Sequence, residues 1–300
     1  MIIRFIQGFC MALADSVPGV SGGTIAFLLG FYDKFIGSLN DLIGGTKEKR
    51  KEAIIFLMKI GVGWVIGLAL AILFITSVFE SHIYQISSLF IGFIIFAIPI
   101  IIKEEKECLK SKYANLIFLV IGGGFVCAIS YFSGNTFLSD GVDLAAGKFG
   151  IGVGILLFIA GVVAISAMVL PGISGSTVLM IFGLYVPITT AIKDILHFKF
   201  EYILGVGIFG LGVIAGALGV VKIIKKLLEA FRSQTVYFII GMMVGSLYSI
   251  AMGPTTIKDS NGVLKGLKML DISTFSIIFF IIGGVIILGL QLLKNFMEEK

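Results

Sequence analysis

Apolar residues in this chain come in long blocks separated by short polar loops. The blocks Ile60–Phe79, Ser87–Ile102, Tyr113–Phe132, Gly150–Val169, Tyr202–Val221, Val236–Met252 and Ile272–Leu293 approach or reach the length a membrane-crossing helix requires. That length is roughly 20 residues for about 30 Å of hydrocarbon. The pattern predicts an all-α polytopic membrane protein, with residues 1–300 forming a single integral-membrane domain. Composition agrees, since 58% of the residues are hydrophobic and only 14% are charged, against about a quarter charged in an average soluble domain.

The apolar pattern is interrupted twice in the same way. Around Pro18 the chain reads PGVSGGTIAFLLGFY, and around Pro171 it reads PGISGSTVLMIFGLY. Weaker anchors follow in the same order: Gly63 and Gly67 match Gly212 and Gly216, Gly92 matches Gly241, and Gly122-Gly123 matches Gly283-Gly284. A first repeat over residues 1–133 and a second over 148–294 follow. Each reads as a broken, re-entrant helical hairpin followed by three transmembrane helices. Three crossings per half is an odd number, so the second half enters from the opposite side, which makes the repeats inverted in topology. Inverted repeats are common in transporters, with the substrate site at the pseudo-two-fold axis.

Re-entrance rests on length. Ile2 to Ser16 is about 15 residues, or roughly 22 Å of helix, which passes the midplane and falls short of a full crossing. Pro18 then disfavours helix at Val17, and a second arm returns from Thr24 to about Ile36. The arms of the second hairpin are longer. Pairs such as Gly63 and Gly67, Gly212 and Gly216, and Gly241 and Gly245 suit close helix packing.

The net charge of +5 reflects topology and not nucleic-acid binding. Arg4, Lys34, Lys47, Lys49, Arg50, Lys51 and Lys59 flank the first hairpin. Lys103, Lys106, Lys110 and Lys112 share one later loop; Lys222, Lys225, Lys226 and Arg232 share another; Lys294 and Lys300 close the chain. Alternate loops hold only Lys148, Lys193, Lys199, Lys258, Lys265 and Lys268. The positive-inside rule puts the first set, and both termini, in the cytoplasm. The N-terminus does not read as a secretory signal, because Asp15 and Pro18 stand where a small-residue cleavage site would be. Cys10, Cys108 and Cys127 have no disulfide or zinc spacing, and no metal or cofactor is expected.

Candidate chemistry sits in the two interruptions. Ser21-Gly22-Gly23-Thr24 and Ser174-Gly175-Ser176-Thr177 each precede an apolar helical arm. A helix N-terminus supplies free N–H groups and partial positive charge, glycines let a ligand approach closely, and hydroxyls add donors. Together they describe a cradle for phosphate or carboxylate. The competing reading is that the hydroxyls cap a broken helix while Pro18, Gly19, Pro171 and Gly172 shape the turn. Occurrence in both halves favours the cradle. Asp15, with Ser16 beside it, is an ionisable residue at membrane depth and functional by default. It is read either as a proton or cation coupling group or as an acceptor that holds the hairpin's donors; its repeat counterpart is Met168. Arg4 is the first candidate to pair with an anion, with Lys59 and Lys34 behind it, and it could equally snorkel to headgroups. Tyr32 and Tyr185, read as ending the returning arms, line a portal or anchor at the interface.

The run Ala14 to Thr24, followed by Gly30-Phe31-Tyr32-Asp33, resembles the signature of a bacterial and archaeal membrane family, the polyprenyl-phosphate transporters of the PopT type. Pro171 to Thr177 and Gly183-Leu184-Tyr185 resemble it too, except that Val186 replaces the acidic residue expected after the second Tyr. The resemblance implies a plasma-membrane transporter that returns undecaprenyl phosphate from the outer to the inner leaflet for cell-wall synthesis. Its phosphate would sit between Ser21–Thr24 and Ser174–Thr177, helped by Arg4. Two alternatives compete: a small-anion or ion carrier, and a polyprenyl-diphosphate phosphatase. The phosphatase is disfavoured because Gly22 and Gly175 follow the motif serines, and Glu80, His82 and Glu201 lie at span ends.

Overall fold

A computed structural model describes residues 2–15, 21–70, 82–110, 112–132, 142–256 and 266–298. Among the described residues the regular structure is entirely helical. Five of the described helices are long and apolar enough to cross a membrane, and the chain is a polytopic membrane protein.

The first half opens with α1 (Ile2–Asp15), α2 (Gly22–Leu28) and α3 (Tyr32–Gly44), then α4 (Lys47–Leu70), α5 (Ile83–Glu104), the single turn α6 (Lys106–Leu109) and α7 (Leu116–Phe132). The second half contains α8 (Ile151–Val169), α9 (Gly175–Ile181), α10 (Tyr185–Leu196), α11 (Ile203–Ala230), α12 (Arg232–Met252) and α13 (Ile277–Glu298). Helix α8 stops two residues before Pro171, whereas the break expected at Val17-Pro18 lies outside the described residues. The stop of α8 fits the exclusion of helix from the residue before proline, since Leu170 is extended.

The returning arm from Thr24 to Ile36 is not one helix, contrary to the expectation from the apolar pattern. It splits into α2 and α3 at Gly30, whose φ of +66° is a left-handed value suited to glycine. The N–H of Phe31 then bonds to the Ala26 carbonyl at 3.1 Å, closing α2. The second arm breaks in the same manner. Gly183 has φ +70°, and the Leu184 N–H bonds to the Leu179 carbonyl at 2.9 Å. Tyr32 and Tyr185 therefore begin the next helices and do not end an arm.

Glycines set the packing. α1 lies along α4, where a Cβ on Gly8 or Gly63 would collide with the backbone carbonyls of Ile60 and Phe5. α8 lies along α11 with the matching collisions, Gly161 on Phe209 and Gly212 on Phe158. α5 pairs with α13 through Gly92 and Gly283, and α12 pairs with α7 through Gly241 and Gly122. In each case a backbone carbonyl occupies the space a side chain would need, the close approach that small residues permit.

Burial separates centre from rim. In α12, 61% of the spanning window is buried, against 17% in α7 and in α11, so α12 runs through the middle. Helix α2 is buried along its whole length. The outer faces stay apolar and exposed, with Met58, Val62, Val65, Leu211, Ile214 and Ile278 facing outward, as lipid-facing surfaces must. At the basic end, Arg232 at the start of α12 grips Glu105 at the end of α5 at 2.5 Å and Asp33 on α3 at 2.7 Å. Lys225 on α11 reaches Asp41 on α3 at 3.6 Å. These pairs tie the first hairpin to the second half.

Candidate functional site

The two hairpin tips meet. Ser21 caps α2 from an extended backbone (φ −128°, ψ 148°), and its Oγ accepts from the Thr24 N–H at 3.2 Å. The Ser21 hydroxyl also donates to the carbonyl of Leu170, 3.1 Å away in the opposite tip. The reverse bond runs from the Gly172 N–H to Thr24 Oγ1 at 2.8 Å. A third crossing bond joins the Tyr32 hydroxyl to the Val169 carbonyl at 3.1 Å. Ser21, Thr24 and Tyr32 are 0%, 1% and 2% exposed, so all three polar groups are spent on the partner tip and none faces water.

Backbone shape makes this possible. Gly172 has φ +92°, and a Cβ there would press on the Met242 carbonyl. A Cβ on Gly23 would lie 2.6 Å from the Val169 carbonyl. Only residues without side chains let the two tips approach to hydrogen-bonding distance.

The two tips differ behind their helix starts. Asp15 closes α2: its Oδ1 accepts from the Gly22 N–H at 2.6 Å and its Oδ2 from the indole Nε1–H of Trp64 at 3.0 Å. A carboxylate at a helix N-terminus is favoured by the free N–H groups and the helix dipole. In the second half Met168 takes the equivalent place, with its Cγ and Sδ against Gly175. The α2 start thus already holds a carboxyl group, and the α9 start meets a thioether.

Asp15, Gly22, Gly23, Trp64 and Met168 also form the polar end of a cavity of about 590 Å³. Its walls are otherwise apolar, including Met11, Leu57, Met58 and Val65, and Met58 and Val65 belong to the exposed outer face. The cavity runs from the lipid-facing surface to the tips.

The remaining site candidates fall as follows. Ser174 and Thr177 are buried beside Gly175 in the second tip, and Pro171 is buried with Gly172. Ser176 lies in α9, with its side chain outside the described residues, as are Ser16, Pro18 and Gly19 entirely. Tyr32 is buried at the tip contact instead of at an interface, while Tyr185 is half-buried at the start of α10. Arg4 is not brought to the tips. It sits near the start of α1, roughly 16 Å from Asp15 at about 1.5 Å per helical residue. There it shares a second cleft with Lys34 and Lys59. Sequence reasoning missed Trp64, although it is the only tryptophan; an indole N–H inside an apolar helix requires an acceptor, and Asp15 is the nearby carboxylate. Among the described residues, no group of three or more His, Cys, Asp or Glu is placed to hold a metal ion.

Paired broken helices, interlocked at their tips within an all-helical multi-pass bundle, define a membrane protein whose irregular backbone lines a buried polar junction. Comparison with known proteins identifies it further. Residues 11–265 match the VCA0040-like family, described as undecaprenyl phosphate translocase-like, and the chain belongs to that family. It is 31% identical over 258 residues to a protein of Staphylococcus aureus named polyprenyl-phosphate transporter, covering 85% of this chain and 88% of that one. A Vibrio cholerae protein of the same name is 29% identical over 256 residues, covering 82% of this chain and 76% of that one. No solved structure matches the chain.

Proposed function

We propose that this protein is a transporter, not an enzyme, that moves a polyprenyl phosphate, undecaprenyl phosphate in the first instance, from the outer to the inner leaflet of the plasma membrane. The observation that carries the reading is the interlock of the two PGxSG tips beside an apolar cavity open to lipid. A lipid phosphate needs a polar station for its head and an apolar lateral opening for its tail, and these features lie end to end. The names of the two relatives support the substrate class.

The phosphate site comprises Ser21–Thr24 and Ser174–Thr177. Each crossing hydrogen bond contributes only about 1 kcal/mol net, so the tips can part at modest cost. Parting frees the Ser21 hydroxyl, the Thr24 hydroxyl and the Gly172 N–H, which a phosphate oxygen can then occupy in place of the opposite tip. Residues 1–133 and 148–294 act as inverted repeats that rock against each other. Matching glycine contacts of α1 with α4 and of α8 with α11 support that symmetry. Both termini are cytoplasmic in this scheme. Asp15 is the candidate for a coupled proton or cation.

The test is transport by purified protein in liposomes. Labelled polyprenyl phosphate is expected to exchange leaflets only in vesicles containing the protein. Uptake of inorganic phosphate without lipid exchange would establish a small-anion carrier instead. Release of phosphate from a polyprenyl diphosphate would establish a phosphatase.

A further inference from the structure

The second cleft, about 520 Å³ in volume, is built from the first hairpin and α4 and lies away from the tips. Its basic groups are Arg4 on α1, Lys34 on α3, and Lys49 and Lys59 on α4; its acidic groups are Asp41 and Glu52. Arg4 and Lys34 both sit on the ring of Phe56, with the guanidinium carbon 5.0 Å and the ammonium 5.2 Å from its centroid. The buried ring thus has both cations within cation–π distance.

Charge balance marks the cleft as a receptor. Asp41 is engaged by Lys225 from α11. Arg4 bonds to the neutral Gln7 Oε1 at 2.8 Å. Among the described residues, Arg4, Lys34 and Lys59 form no salt bridge with any carboxylate. Arg4, Lys34, Lys49 and Lys59 outnumber Asp41 and Glu52 in the cleft, so the cations repel one another on balance, and a bound dianion removes that repulsion. A planar guanidinium beside two ammonium groups suits a phosphate monoester.

The cleft and the apolar cavity are neighbours along the same helices. Helix α4 lines the cleft with Glu52, Ala53, Ile55, Phe56 and Lys59, and lines the cavity from Leu57 through Ile66. Helix α1 does the same with Arg4 and then Met11. A basic pocket next to an apolar cavity on the lipid-facing side suits a single-chain lipid with a charged head.

Resting on the lipid-phosphate reading above, we infer that this cleft is a second phosphate station, which holds the head of the lipid at the basic face while its first isoprenoid units lie in the cavity. It is the station from which the carrier lipid joins or leaves the inner leaflet. Arg4 acts here and not at the tips.

The test uses the full chain in nanodiscs of zwitterionic lipid. Lys34 and Lys59 are labelled with an acylating reagent, with and without a polyprenyl phosphate. Protection of both by the lipid is expected, with Lys222 on the outer face of α11 labelled equally in either case. In direct binding, the triple variant Arg4→Gln, Lys34→Gln, Lys59→Gln is expected to weaken the lipid phosphate by about tenfold or more. Arg4→Lys alone should give an intermediate loss, and Lys222→Gln with Lys226→Gln no change. Unprotected Lys34 and Lys59, or a triple variant that binds as the wild type does, would overturn the inference. So would protection by inorganic phosphate or phosphatidylglycerol equal to that by the polyprenyl phosphate, the first marking a free-phosphate site and the second a bulk-lipid contact. Leaflet exchange by the wild type is measured alongside: its absence counts against the transporter reading, while its presence with unprotected lysines counts against this station alone.

Discussion

Replacing Asp15 tests how the first tip is held. The carboxylate accepts two hydrogen bonds, from Gly22 N–H at 2.6 Å and from Trp64 Nε1–H at 3.0 Å. Asp15→Leu leaves both donors without an acceptor in an apolar setting. Each such loss costs about 1–3 kcal/mol, so the expected destabilisation is about 2–6 kcal/mol. Asp15→Asn keeps one acceptor oxygen and turns its amide donors toward the other N–H, for a loss of about 1–3 kcal/mol. Trp64→Phe removes one donor and leaves the Gly22 bond, so it should cost about 1–2 kcal/mol. Trp64→Phe and Asp15→Leu share a partner and should be less than additive. Thermal unfolding in detergent reads these values, at roughly 2 °C per kcal/mol in a chain of this size. The order of midpoints should be wild type, then Trp64→Phe and Asp15→Asn, then Asp15→Leu. An Asp15→Leu midpoint equal to wild type would refute the claim that this carboxylate closes α2. The same variants address coupling. If Asp15 carries the coupled proton or cation, Asp15→Asn flattens the pH dependence of leaflet exchange; an unchanged profile leaves it a purely structural acceptor.

Further outcomes follow from other contacts. Tyr32→Phe removes one crossing bond to Val169, so it should lower stability by about 1 kcal/mol without abolishing exchange; an inactive but folded variant would contradict a merely clamping hydroxyl. Gly63→Ala and Gly212→Ala each place a Cβ on a facing backbone carbonyl and should both destabilise, by about 1–3 kcal/mol. Gly61→Ala, with open space around it, should stabilise by up to about 1 kcal/mol through helix propensity, so similar melting of all three would refute the packing account. Burial, then the bond from its thiol to Glu105 at 3.3 Å, pushes Cys108 up to about 11. The raised value means less thiolate at neutral pH, so maleimide labelling at pH 8 should be roughly 100-fold slower than for an ordinary thiol. Glu105→Gln should speed it, and labelling at the rate of a free peptide cysteine would refute the assignment.

Much of the hairpin and packing geometry was legible because proline and glycine speak locally. The end of α8 follows from Pro171, and Ser21 is the N-cap its type and place suggest. The paired glycines at 63 and 212, and at 92 and 241, are the contact points of the helix pairs. The break at Gly30 was missed because an apolar run continues through it, and only the left-handed φ reveals that the direction changes. Its twin Gly183, at the same place in the second motif, was the available signal. The bonds from Ser21 to Leu170 and from Gly172 to Thr24 were not legible, since one partner in each is a backbone group that any residue carries. Charge alone makes Arg4 a candidate helper at the tips, yet the length of α1 separates it from them. Its actual neighbours, Lys34 and Phe56, come from helices whose packing no local pattern announces.

Passage of a lipid phosphate by way of the paired tips can be observed in vesicles. Its most direct test is leaflet exchange of a labelled polyprenyl phosphate in liposomes, comparing wild type with the double variant Ser21→Ala, Ser174→Ala, both shown to be folded by thermal unfolding. The account predicts exchange by the wild type and its loss, by about tenfold or more, in the double variant, because two hydrogen bonds to a charged phosphate are removed. Exchange at the wild-type rate in the double variant would contradict it.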